Sequence, residues 1–223
     1  MTENEHAAAR LLTVREKIAA AAALAQREVE DITLIAVSKT HDADTILPLL
    51  NAGQRVFGEN RVQETAAKWP ALREELPDVQ LHLVGSLQSN KAGDAVSLFD
   101  CIHSLDRPSL VKSLAGAMDK AGRRIPCFIQ VDIGDEEQKG GCAIADLPAL
   151  IEQARVADIP LAGLMCVPPA GIEPTPFFAL LDKLAADHGL DGLSMGMSGD
   201  FETAVKLGAT HVRVGTALFG ARE

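Results

Sequence analysis

Thr33-Leu34-Ile35-Ala36-Val37-Ser38-Lys39-Thr40 reads as a short buried strand that ends on a polar corner. The run Leu34 to Val37 is apolar and rich in branched side chains, the signature of a strand inside a domain. Working outward, segments of the same kind recur at 55–58, 81–85, 101–104, 126–133, 161–167, 193–197 and 211–214. Helical patterns lie between most of them, at 44–51, 61–76, 109–121, 146–157, 176–188 and 200–207. The helix after Leu87-Gln88-Ser89-Asn90 has to be short. Gly53, Gly122, Gly189 and Gly208 stand where helices stop in a left-handed residue. Eight strand-helix units predict an α/β fold: a single (β/α)8 TIM barrel over residues 1–223, with an extra N-terminal helix. An open doubly wound sheet is the alternative, disfavoured by the strand count and the lack of an early G-x-G-x-x-G.

The start of the chain scatters Glu3, Glu5, Arg10, Arg15, Glu16 and Lys17 among alanines. It lacks the layout of a signal peptide and the length to span a bilayer. The reading is an amphipathic helix packed on the domain, with Leu11, Leu12, Val14, Ile18 and Leu24 inward. Net charge −10 argues against nucleic-acid binding, which wants a basic face. Cys101, Cys127, Cys142 and Cys166 show no metal-ligand spacing and read as buried thiols in a reducing compartment. These features predict a cytoplasmic protein without metal or membrane partner.

Lys39 closes its strand where an amine can be partly desolvated and freed to form a Schiff base. A lysine that merely surfaces at a strand end is the plainer alternative. Near the other end of the chain, Ser198-Gly199 and Gly215-Thr216 follow strands seven and eight, the usual phosphate position of such barrels. Ser198 offers a hydroxyl, Gly199 a close backbone approach before a helix, and Gly215 and Thr216 further N–H donors. An ordinary helix cap and turn would use Ser198 and Gly199 equally well. Arg213 points to the same side as Gly215 and needs either a ligand or a carboxylate partner. In a closed barrel strand eight adjoins strand one, so the amine and the anion cup become neighbours. An amine beside a phosphate cup suggests pyridoxal 5′-phosphate (PLP).

The segments 36–40, 57–64 (Phe-Gly-Glu-Asn-Arg-Val-Gln-Glu), 82–91 (His-Leu-Val-Gly-Ser-Leu-Gln-Ser-Asn-Lys), 102–106, 163–165, 193–198 and 212–220 resemble, in that order, the pyridoxal phosphate homeostasis protein family. The resemblance implies a barrel like the N-terminal domain of alanine racemase, with PLP as an imine on Lys39. It implies phosphate contacts from Ser198, Gly215 and Thr216, Arg213 near the pyridine nitrogen, and Asn60 as a polar neighbour of the cofactor. It also implies a monomer that serves PLP-requiring apo-enzymes. Asp132 stands where the family often has asparagine, and Leu81 where it often has tryptophan. The loop 135–141 is charged and glycine-flanked; Lys139 in it could meet free aldehyde or simply be surface.

Three functions fit a lysine and a phosphate cup. The first is a carrier that holds PLP without a dedicated reaction and has no catalytic residue. The second is an amino-acid racemase, whose barrel type sets a tyrosine from a second domain opposite the lysine; this sequence contains no tyrosine. An arginine at the ring nitrogen also leaves the cofactor a weakened electron sink. The third is a Schiff-base sugar-phosphate lyase, for which Glu59 is the available carboxylate, although pairing with Arg61 or Lys91 is its expected role. The sequence favours the first.

Overall fold

The computed structural model describes residues 2–136 and 140–220. Eight parallel strands close into one barrel in chain order. They are β1 (Thr33–Val37), β2 (Val56–Glu59), β3 (Gln80–Leu83), β4 (Cys101–Leu105), β5 (Cys127–Gln130), β6 (Leu161–Met165), β7 (Gly192–Ser194) and β8 (His211–Val214). Closure is by β8 against β1, where Ile35 registers with Arg213 and Ala36 with Val214. The expected barrel is therefore the observed one.

After a leading helix α1 (Glu3–Leu24), the outer ring is α2 (Ala43–Asn51), α3 (Val62–Glu75), α4 (Ala92–Leu98), α5 (Pro108–Ala121), α6 (Leu147–Val156), α7 (Thr175–Asp187) and α8 (Phe201–Lys206). The glycines expected to stop helices all take left-handed backbone. A last helix, α9 (Thr216–Phe219), was not expected from the sequence. Strands β5 and β7 are shorter than their apolar runs, because β7 meets Gly196 at φ +91° and β5 gives way to turns after Gln130.

A capping box starts α1: the Thr2 N–H donates to Glu5 and the Glu5 N–H donates back to the Thr2 hydroxyl. Its inward face is Ala7, Leu11, Val14, Ile18, Ala21 and Ala22. Leu12 and Leu24 were expected there but are exposed, at 59% and 77%. Small alanines fill the seam instead and let the helix lie close. Arg10 Nε donates to the Leu218 carbonyl at 2.7 Å and Arg27 to that of Val205, so α1 and the turn after it brace α9 and α8. Among the described residues no helix is long and apolar enough to cross a membrane.

Apolar side chains, including Trp69, Phe57, Phe99 and Phe178, fill the layer between strands and helices. The barrel interior is different. Cys101, Phe128 and Met165 form a small separate cluster there, and three histidines pack beside it. His103 stacks on Phe128 at 4.5 Å, and His211 meets Phe128 edge-on at 4.9 Å. The four cysteines are buried and unpaired, as expected.

Candidate functional site

Five of the seven expected site residues line one cavity of about 370 Å³ at the carboxyl ends of the strands. They are Lys39, Asn60, Arg213, Gly215 and Thr216. Val37, His41, Val84, Val167, Met197 and Gly220 complete the lining. His41 had carried no signal beyond its place two residues after Lys39. Its ring stacks on Phe219 of α9 at 4.4 Å and 15°, which joins the first strand's turn to the last helix.

Ser198 stands behind this wall and holds it. The Gly215 and Ala217 amides both donate to the Ser198 hydroxyl oxygen, at 3.2 and 3.4 Å. Both amides are satisfied by that oxygen, so the pair fixes the Ser198 hydroxyl and leaves its proton to donate. Ala217 was missed because the short helix that aims its amide was missed. Gly199 lies apart, in a neighbouring cleft with Asp200 and Thr203. A Cβ built on it would meet no protein atom within 4 Å, so no packing within the chain requires that glycine.

Asn60 is held from below. A Cβ on Gly85, just past β3, would lie 2.4 Å from the Asn60 carbonyl oxygen, so the two backbones touch only because residue 85 has no side chain.

Arg213 is 5% exposed and has no carboxylate partner among the described residues. Nη1 donates to Ser194 Oγ at 2.7 Å and Nη2 to the Cys166 carbonyl at 2.8 Å. Burial lowers its pKa from the ordinary guanidinium value, but such a group stays charged at any working pH. The chain continues from Ser194 Oγ to His103 Nδ1 at 2.8 Å, and from His103 Nε2 to His82 Nδ1 at 2.9 Å. Arginine can only donate, so the assignment that uses every proton runs one way: Arg213 to Ser194, Ser194 to His103, His103 to His82. Burial pushes His82 down to about 3 and His211 to about 4, and His103 well below its usual value. The interior of the barrel is thus neutral apart from the arginine itself.

Glu59 corrects an expectation. It pairs with neither Arg61 nor Lys91 but with Lys68 of α3, at 2.8 Å. Fully buried, the same Glu59 Oε1 accepts from the Ser38 hydroxyl at 2.6 Å and the Trp69 indole at 2.9 Å. It does not line the cavity. The signal was present in the Glu64/Lys68 spacing of α3, but only the fold shows that this helix face covers the end of β1. Lys139, the other lysine singled out, lies outside the described residues.

The alanine racemase N-terminal domain model matches residues 13–223. The pyridoxal phosphate homeostasis protein of Escherichia coli K12 is 39% identical over 225 residues, 96% of this chain and 95% of that protein. Its namesake in Pseudomonas aeruginosa is 40% identical over 94% of this chain and 93% of that protein. PipY of Synechococcus elongatus, solved with PLP bound, is 40% identical and superposes with a TM-score of 0.85, covering 96% of this chain and all of that one. An alanine racemase of Clostridium difficile shares the barrel at 17% identity and a TM-score of 0.69, covering 86% of this chain and 53% of that chain. On these matches the chain belongs to the pyridoxal phosphate homeostasis protein family, built on the alanine racemase N-terminal barrel.

Proposed function

We propose that this protein binds PLP in the cavity between β1 and β8 and holds it for intracellular vitamin B6 homeostasis. The observation that carries the reading is that one primary amine, Lys39, one carboxylate-free arginine, Arg213, and the Gly215-Thr216 corner line a single space of about 370 Å³. When bound, PLP supplies an aldehyde that condenses with a primary amine with loss of one water, together with a phosphate anion.

The chain's own residues divide the task. Lys39 Nζ is the nucleophilic amine. Ser198, Gly215 and Thr216 hold the phosphate, and the Ala217 amide helps to fix the Ser198 hydroxyl. Asn60 orients the polar edge of the ligand. Arg213 donates at the ring nitrogen and, being unable to accept a proton there, leaves that nitrogen uncharged. That choice favours custody over turnover, because an uncharged ring withdraws electrons weakly. The absence of any tyrosine removes the second base of the lysine–tyrosine design from this chain. Glu59, the carboxylate a sugar-phosphate lyase would need, is shut behind β2 with Ser38, Lys68 and Trp69. We therefore read the protein as a non-catalytic cytoplasmic monomer that passes PLP to apo-enzymes.

The test is the visible spectrum with PLP, followed by borohydride reduction and peptide mass analysis. A phosphopyridoxyl mass on Lys39, absent from a folded Lys39→Ala variant, is expected. A chain that takes up no PLP, or racemises amino acids with the turnover of an enzyme, overturns the reading.

A further inference from the structure

The segment that carries Lys39 is a strained turn gripped from outside the barrel. The His41 N–H donates to the Ser38 carbonyl at 3.1 Å, which closes Ser38-Lys39-Thr40-His41 as a four-residue turn. Its third residue, Thr40, has φ +66°. A β-branched residue seldom adopts that value, and it persists only where surrounding contacts enforce it. Those contacts come from two residues of α3 spaced i, i+4, and so on one helix face. The Thr40 N–H donates to Glu64 Oε1 at 2.7 Å. Lys68 Nζ donates to the Ser38 and His41 carbonyls, both at 2.9 Å, and so ties the two ends of the turn together. Lys68 also meets Glu64 at 3.0 Å and the buried Glu59 at 2.8 Å, with its own side chain only 10% exposed.

We propose that Lys68 and Glu64 are positioning residues that lock the Lys39 turn so that the amine stands ready at the cavity wall. The role rests on the function proposed above. Three features carry it together. The ammonium bridges main-chain atoms on both sides of Lys39, the strained residue adjoins Lys39, and the anchoring carboxylate is itself immobilised by Ser38 and Trp69. A surface ion pair would need none of this. Burying a lysine and a glutamate often costs more than an apolar pair of equal size, so their presence here points to a geometric task.

Lys68→Met alone would strand the Glu59 charge and could unfold the protein. The decisive variant is Glu59→Gln with Lys68→Met. It removes both charges yet leaves an amide oxygen to accept from Ser38 and Trp69, and it deletes the bridge across the turn. Two readouts are followed against urea stability. One is hydrogen exchange at Thr40 and His41, which needs no cofactor. The other is the rate of borohydride-trapped labelling of Lys39 by PLP, with inorganic phosphate affinity as control.

The expected result is a stability within reach of wild type, unchanged phosphate affinity, loss of amide protection at the turn, and labelling slower by on the order of tenfold. Lys68→Arg, whose fork can reach both carbonyls, should recover most of the rate. Wild-type exchange at Thr40 and His41, or wild-type labelling, in the double variant overturns the proposal. If the wild-type protein itself is not labelled on Lys39, the PLP reading falls, while the exchange data still decide whether the clamp holds the turn.

Discussion

Ser198 Oγ stands 3.2 Å from the Gly215 nitrogen and accepts its N–H, while the Ala217 N–H arrives at 3.4 Å. A serine hydroxyl has two lone pairs and one proton. With both lone pairs taken by amides, the proton is the part left to point at an anion. Ser198→Ala deletes that donor and the shared acceptor that aligns β8 with α9. PLP affinity should fall by about 1 kcal/mol, roughly fivefold in Kd. Spectral titration of the variant checks this, and an unchanged Kd would remove Ser198 from the phosphate site.

Arg213 is expected to resist even a conservative exchange. Its two terminal nitrogens serve acceptors on different strands, Ser194 on β7 and Cys166 just past β6. A lysine ammonium has no rigid fork with which to span them. Arg213→Lys should lose about 1–3 kcal/mol of stability in urea unfolding, from one buried acceptor left unmet. The absorption of bound PLP should shift as the donor at the ring nitrogen moves away. A variant with wild-type stability and spectrum would contradict both roles.

The barrel was legible because its signal is repetition: eight short apolar runs separated by helical periods leave little choice of topology. Lys39, Asn60, Arg213, Gly215 and Thr216 were legible because strand ends of such a barrel share one rim. What escaped was of two kinds. Helix α9 has four residues and no periodicity to reveal it, so the Ala217 amide could not be anticipated. Partners across the fold were hidden as well. Glu59 was expected to pair with Arg61 or Lys91, yet it points outward to Lys68 and to Trp69, which lies ten residues further along the chain. Gly199, adjacent to Ser198 in sequence, lines a neighbouring cleft rather than the Lys39 cavity.

Acid should weaken the protein well before its surface carboxylates titrate. Burial depresses His82 to about 3 and His211 to about 4, and holds His103 well below its usual value, whereas an unfolded histidine takes a proton near 6.5. The unfolded chain then binds more protons than the native one. The stability these neutral rings contribute is fully present above about pH 6.5 and is lost as pH falls toward the folded values. The slope is at most about 1.4 kcal/mol per pH unit for each histidine. Urea midpoints should drop between pH 7 and pH 5. A flat profile over that window would mean that the interior histidines are not held neutral.

Gly85 sets the place of Asn60 without touching the ligand. A methyl group there would come within 2.4 Å of the Asn60 carbonyl oxygen and 2.7 Å of its Cα, both backbone atoms that no rotamer change can move aside. Gly85→Ala must therefore push the end of β2 away from that of β3. Overpacking of this kind costs about 1–3 kcal/mol, and here the displaced segment also carries Glu59, which anchors Lys68 and through it the Lys39 turn. The variant should lose stability, bind PLP more weakly and label Lys39 more slowly. Asn60→Ala, by contrast, should weaken binding while leaving the labelling rate at saturation near wild type. Measuring both variants separates the two effects, and equal behaviour of the pair would show that Gly85 acts only through the Asn60 side chain.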